Sequence, residues 1–286
     1  MISRQQVEAQ LCDRQQAYVA FMCDHLKNWR AWAQASDRME RGEAVAREEV
    51  EPFFQTEYEW MRIALEMQAR GEFDWSDPRL GKLFAAAAQT EFYRFWGDQI
   101  TAIALEMADL ANAGSLLEVG AGRGNLTATM LQKLTDRGSA LPVVLTDAHQ
   151  TLIDRQPQLA ATYPDVPLQA QLWNFCEPPP AQLRDNLPRP VVAYERASIT
   201  YATVGALEHL AAVADVVVLG DYFNYTGEQF GYDRISARVG VKPLMYADAR
   251  PLLERLFDEV WEFDREATER LGVPNISLVI AWRNGV

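Results

Sequence analysis

The stretch SLLEVGAGRGN at residues 115–125 constrains this chain more than any other. Leu116, Leu117 and Val119 form an apolar run of the length of a buried strand. Gly120, Gly122 and Gly124 follow at once, so the chain can turn through backbone angles closed to other residues. Helical spacing resumes at Asn125, and the turn therefore delivers free N–H groups and the positive end of a helix dipole. A strand, a turn without side chains and a helix, in that order, predict an open α/β sheet. Its ligand would lie beyond the carboxyl end of the first strand.

The rest of the chain divides around this stretch. The first 110 residues read as helices: Val7, Leu11, Tyr18, Phe21, Met22, Leu26, Trp29 and Trp32 keep helical spacing, and 54–69 and 83–113 do so again. The last of these is a helix or a helix pair, with Gly114 as its stop. A charged stretch, 37–51, holds a turn before Pro52, and GEFDWSDP at 71–78 is a connector. From residue 111 onward strand-like blocks at 142–146, 166–172, 191–194, 215–220, 259–264 and 276–282 alternate with helical ones at 125–134, 149–159 and 204–213. That alternation predicts a mostly parallel sheet covered on both faces. The gap at 272–275 is too short for a helical crossover, so the final pair of strands is expected to be antiparallel. The expected organisation is a helical cap over residues 1–110 and an α/β domain over 111–286.

Charge narrows the partners. There are 27 basic and 40 acidic residues, a net charge of −13. This weighs against nucleic acid and against an anionic membrane surface, and favours a neutral or cationic small molecule. Cys12, Cys23 and Cys176 form no CxxC pair and read as buried small hydrophobes. MISRQQVEAQLCDRQQ has no apolar leader and no stretch reaches membrane-span length, so the expected setting is cytoplasmic.

The spacing of the turn separates two ligand classes. A dinucleotide loop reads GxGxxG and meets a pyrophosphate. Here the order is GxGxG, and Glu118 stands two residues before the first glycine. An acid there repels phosphate but suits a ligand with an ammonium group. ExGxGxG after a strand resembles the first motif of the class I S-adenosylmethionine-dependent methyltransferases, and the likeness runs over about residues 110–286.

The resemblance implies a Rossmann-like, mostly parallel seven-stranded sheet with an antiparallel last strand, here preceded by an α-helical N-terminal region. It implies S-adenosylmethionine as cofactor, with Glu118 near its methionine end and Gly120, Ala121, Gly122 and Gly124 as the floor. It assigns Asp147, at the end of VVLTD, to the ribose hydroxyls, although a lone Asp after a strand also serves as a helix cap. Ala148 would then lie against the adenine. After the third strand the family carries an acid, whereas this chain has Trp173-Asn174-Phe175. Asn174 can accept the same hydrogen bond and Phe175 or Trp173 can stack on the base, or these residues are core packing and a loop Asn.

The segment after the fourth strand, Tyr194-Glu195-Arg196, lines the transfer site in that family. Tyr194 and Glu195 are the candidate catalytic residues, and Arg196 a grip on a substrate carboxylate; an internal Glu195–Arg196 pair without chemistry is the alternative. Asp221 and Tyr222, after the fifth strand, suit a substrate wall. Tyr222 stands where metal-assisted relatives need an Asn, so no metal is expected. None of His25, His149 and His209 has a claim to be a general base. Trp29, Trp32, Trp60, Trp75 and Trp96, with Tyr18, Tyr58 and Tyr93, read first as core, and Tyr93 or Trp96 as a cover over the cofactor.

The expected activity is methyl transfer to an oxygen or nitrogen of a small molecule, with a homodimer through the N-terminal helices as a possible assembly. A protein side-chain acceptor, a non-catalytic binding protein and an NAD(P) oxidoreductase are the rivals.

Overall fold

A computed structural model describes residues 2–71, 74, 77–150, 154, 156–199, 202–241 and 244–286. Trp75 and residues 151–153 and 155 of the expected 149–159 helix fall outside the described residues.

The N-terminal helices begin and end where local chemistry dictates. Helix α1 (Arg4–Leu26) starts with a reciprocal cap: the Gln6 N–H donates to Ser3 Oγ, and the Ser3 N–H donates to the Gln6 side chain at 2.9 Å. The apolar pattern that runs unbroken through residue 32 is split, because α1 stops and α2 (Trp29–Glu40) restarts at Asn28. Helix α3 (Gln55–Ala69) follows Pro52. The 83–113 stretch is a helix pair, α4 (Pro78–Ala87), capped by Asp77, and α5 (Glu91–Ala111), capped by Thr90. Gly114 is not the stop. Asn112 takes the left-handed conformation, φ 49°, one residue past the helix, as a short polar side chain can.

The sheet follows the expected alternation. Strands β1 (Ser115–Val119), β2 (Val143–Asp147), β3 (Leu168–Leu172), β4 (Val191–Arg196) and β5 (Val216–Gly220) are parallel to one another. Beyond them come β6 (Phe223–Asn224), β7 (Leu244–Met245), β8 (Glu259–Glu262), β9 (Asn275–Ile276) and β10 (Val279–Trp282). The seven-stranded order is β3-β2-β1-β4-β5-β10-β8, while β7-β6-β9 form a small second sheet. β10 runs antiparallel to both β5 and β8, so the antiparallel last strand is present. The remaining helices are α6 (Asn125–Asp136), α7 (Gln156–Thr162), α8 (Ala181–Asn186), α9 (Ala206–Ala211), α10 (Gly231–Arg238), α11 (Tyr246–Leu256) and α12 (Arg265–Leu271). β1 lies between β2 and β4, so the strand order reverses beside the glycine turn, and an open crevice forms there.

Alternation along the strands builds two cores. Leu116, Val192, Tyr194 and Val218 face α5 and α1, where Trp96, Ile100, Leu11 and Tyr18 are buried. Leu117, Val119, Ala193 and Val217 face α9 and α11. A third core joins Trp29, Trp32, Phe54, Trp60 and Ile63 to Ile235 and Val239 of α10. One helix from the second half of the chain thus completes the N-terminal helical layer.

None of the cysteines is buried as expected: Cys12 and Cys176 are exposed and Cys23 is half-buried. α1 buries Val7, Leu11, Tyr18 and Met22, and Cys12, one residue past Leu11, is turned about 100° away from that face. No described helix is long and apolar enough to cross a membrane.

Candidate active site

The glycine turn is shaped by what lies on each side of it. Gly120, Gly122 and Gly124 adopt φ of 63°, 54° and 74°. A Cβ on Gly120 would stand 2.2 Å from Ser198 Oγ, which lies under the turn. The Ser198 hydroxyl lies 3.2 Å from the Gly120 carbonyl and 3.3 Å from that of Val119, one donor shared between them. A Cβ on Gly122 would meet only the Gly120 carbonyl, at 3.9 Å, and otherwise open space. Asp147 braces this segment: one oxygen accepts the Gly122 N–H at 2.9 Å and the other the His149 N–H at 2.8 Å.

Glu118 lies at the bottom of the crevice, almost fully buried, and accepts a hydrogen bond from the Tyr194 hydroxyl at 3.0 Å. Burial pushes its carboxyl up to about 7, against the pull of the Tyr194 hydroxyl and the Arg196 charge. Burial also raises the Tyr194 hydroxyl well above its ordinary range, so it stays a donor. Arg196 turns toward α5, where its guanidinium donates to the Tyr93 carbonyl at 2.9 Å and lies 5.6 Å from the Tyr93 ring centroid. Burial lowers its pKa from the usual guanidinium value.

These groups open into a cavity of about 400 Å³. Glu118, Gly120, Ala121, Gly122, Arg123, Arg196, Tyr93 and Tyr222 line one end of it. The other end is walled by Trp29, Trp32, Phe54, Trp60, Phe84 and Tyr232, with Glu57 and Asp233 among them. Of the expected residues, Asp147 and Tyr194 reach the cavity through the groups they hold. Gly124 caps α6 in the left-handed conformation. Trp96 is fully buried behind the wall, its ring 6.0 Å from that of Tyr93 and 5.6 Å from that of Tyr222.

The other expected residues lie elsewhere. Glu195 points to the opposite face of the sheet from Tyr194, accepts the Ser198 N–H at 2.8 Å, and is raised well above the carboxylate range by burial and by Asp221. Asp221 is fully buried and accepts the N–H of Tyr222. Ala148 and Asn174 are exposed, and the Asn174 side chain accepts the Cys176 N–H at 3.1 Å. Phe175 packs on the second core. Among the described residues, no three His, Cys, Asp or Glu side chains gather as metal ligands.

Glu57 and Asp233 are additions that sequence reasoning missed. Asp233 caps α10 by accepting the Phe230 N–H at 2.9 Å, and burial raises it to about 6. Glu57 Oε2 is buried without a hydrogen-bond partner, and burial pushes this carboxyl up to about 7. The available signal was its place in the apolar stripe of α3, between Phe54 and Met61.

No protein-family model matches the chain, and no curated protein matches it. Solved structures do. The CurJ carbon methyltransferase superimposes with a TM-score of 0.60 at 13% identity, covering 98% of this chain and 99% of that one. The citrinin polyketide synthase CMeT domain gives 0.62 at 17% identity, covering 81% of this chain and 66% of that one. The DszA carbon methyltransferase gives 0.55 at 16% identity, covering 72% and 58%. The chain thus spans less than two thirds of the latter two chains and nearly all of CurJ. At these identities the likeness establishes a shared fold, the Rossmann-like methyltransferase fold with helices ahead of the first strand.

Proposed function

We propose that this chain is an S-adenosylmethionine-dependent methyltransferase acting on an oxygen or nitrogen atom of a small molecule. The observation that carries the reading is the single cavity whose one end is the glycine turn with Glu118 and whose other end is an aromatic chamber. The turn fits the nucleoside: Gly122 is open toward the cavity and Glu118 offers an anion where the spacing leaves no room for a diphosphate cradle. When bound, the cofactor supplies a methyl on a cationic sulfur and a thioether leaving group that needs no acid.

The chain's own residues bind and align. Ionised Glu118 attracts the ammonium group, with Tyr194 holding its carboxylate in place. Asp147, fixed by two backbone N–H groups, keeps acceptor capacity for the ribose hydroxyls. Tyr93 and Tyr222 line the same cavity, and its aromatic walls keep water from the transfer. Alignment in a dry site accounts for most of the rate such a displacement needs. In this reading residues 111–286 hold the cofactor, and helices from the first 110 residues close the site.

A carbon acceptor is the second reading, favoured by the three carbon methyltransferases that share the fold. It requires a group that removes a proton from carbon. Calorimetry with sinefungin, followed by incubation with methyl-labelled S-adenosylmethionine and panels of amines, phenols and activated ketones, tests both. Micromolar sinefungin binding and label transfer are expected, and the labelled atom decides between the readings. Tight NAD binding without sinefungin binding would overturn both.

A further inference from the structure

We infer that the chamber beyond the cofactor end recognises a cationic amine, with aromatic faces around the charge and the Glu57 carboxylate as its counter-ion. The inference deepens the proposed function and rests on it for the role of the amine as methyl acceptor.

The chamber has the composition of a cation cage. Trp32 of α2 stacks on Phe54 at 5.9 Å between centroids and meets Tyr232 of α10 edge-on at 6.2 Å. Trp60 of α3 lies 6.2 Å from Phe84 of α4. Trp32, Trp60, Phe84 and Tyr232 come from four helices and, with Phe54, line one cavity. Ring faces attract ammonium groups, and more strongly where water is excluded.

Glu57 supplies the charge. An acid in the first turn of a helix is ordinarily solvated at the surface, where it favours the dipole. This one is turned inward, lines the cavity, and has one oxygen buried without a partner. Burial sets its proton affinity, opposed only by its own backbone N–H, and no basic side chain acts on it. An uncompensated carboxyl among rings costs stability, and a bound cation removes that cost. A neutral hydroxyl would satisfy the hydrogen bond but would gain nothing from the rings. The net charge of −13 draws cations toward the protein as a whole. For methyl transfer the ammonium first gives a proton to the Glu57 carboxylate, the freed lone pair takes the methyl as the thioether leaves, and the product is again a cation that the same cage holds.

The other charged or titratable groups on this cavity are Glu118, Tyr93, Tyr222, Tyr232, Asp233, Arg123 and Arg196. Arg196 is engaged with Tyr93 at the cofactor end. Glu57, near 7, and Asp233, near 6, both lose protons as pH rises, so cation affinity increases between pH 6 and pH 8. Tyr222 is held well above its ordinary range and remains neutral there.

The test compares choline with its uncharged isostere 3,3-dimethylbutan-1-ol, followed by tryptophan fluorescence, since Trp29, Trp32 and Trp60 line the chamber. Choline is expected to bind at least tenfold more tightly than the isostere at pH 8, with the preference shrinking at pH 6. Glu57→Gln is expected to lower choline affinity about tenfold and leave the isostere unchanged. Equal binding of the two probes, or a choline affinity indifferent to Glu57→Gln, overturns the inference. Sinefungin calorimetry on the same samples confirms that the variant is folded. It also reads the cofactor end alone: wild-type protein that binds choline selectively but not sinefungin sinks the methyltransferase reading and upholds the cation site.

Discussion

The two ends of the cavity are built in opposite ways. The end proposed for the cofactor is backbone: a turn of consecutive residues, braced from below by Ser198 and from the side by Asp147. Its charges have partners: Glu118 in the Tyr194 hydroxyl and Arg196 in the Tyr93 carbonyl. The chamber is side chain: rings delivered by α2, α3, α4 and α10, whose residues lie up to two hundred positions apart, around a carboxyl oxygen with no partner. Backbone geometry tolerates little substitution, because each glycine is fixed by a positive φ and Gly120 also by close approach to Ser198. A side-chain cage can be refitted ring by ring. The first arrangement suits a constant ligand and the second a ligand that changes between enzymes of one fold.

The comparison is broken most readily at Gly120. Valine there would combine a left-handed φ of 63° with a Cβ 2.2 Å from Ser198 Oγ and 2.5 Å from Ser198 Cβ. Strain and overpacking together are worth roughly 3 kcal/mol or more. Gly120→Val is therefore expected to lose at least a hundredfold in sinefungin affinity by calorimetry and to lower the melting temperature. Choline binding in the chamber would be retained in whatever fraction is folded. A variant with wild-type sinefungin affinity would show that the turn does not carry the nucleoside.

Glu118→Gln sharpens the same point at smaller cost. A charge-assisted hydrogen bond to an ammonium group contributes about 1.5–3 kcal/mol, which corresponds to a loss of roughly ten- to a hundredfold. The carboxyl, raised to about 7 by burial, must be ionised to attract that group. Wild-type sinefungin affinity should accordingly rise from pH 6 to pH 8, and the slope should flatten in the glutamine variant. An unchanged affinity and an unchanged slope would remove Glu118 from the cofactor site.

How much was legible in the sequence follows from the same contrast. SLLEVGAGRGN could be read because strand, turn and helix are local, and each glycine answers to a local backbone demand. The parallel sheet followed from alternation; the antiparallel last strand was expected rightly but from a short gap, whereas the connection from β8 to β10 holds α12. Glu195 was misleading as a neighbour of Tyr194, because side chains alternate along a strand. Tyr194 meets Glu118 on one face, while Glu195 serves the Ser198 loop on the other. Asn174 and Phe175 were placed by strand order alone, and their loop turns onto its own backbone and the second core. The chamber was out of reach. Nothing in the spacing of Trp32, Glu57 and Tyr232 says that α10 folds back onto α2 and α3, a contact made only in the tertiary structure.

The smallest effect separates the two ends most cleanly. Glu57 is raised in the folded chain from an ordinary carboxyl value of 4.5 to about 7. The folded state therefore holds this proton more tightly than the unfolded chain does. Its stabilising contribution is complete below about pH 4.5 and is lost as pH rises through about 7. Glutamine has no proton to lose, so Glu57→Gln should be more stable than wild type at pH 8, and the difference should vanish near pH 5. The side chain is only half-buried by its accessible surface, which reduces the expected gain to about 1–2 kcal/mol. Glu118 is raised in the same direction and is present in both proteins, so it cancels. Urea denaturation at the two pH values measures the gain, and sinefungin affinity should not change. A residue whose removal stabilises the fold is held there for something other than the fold. If wild type proves the more stable at pH 8, the carboxylate already has a compensating partner, and the chamber has no charge to offer an amine.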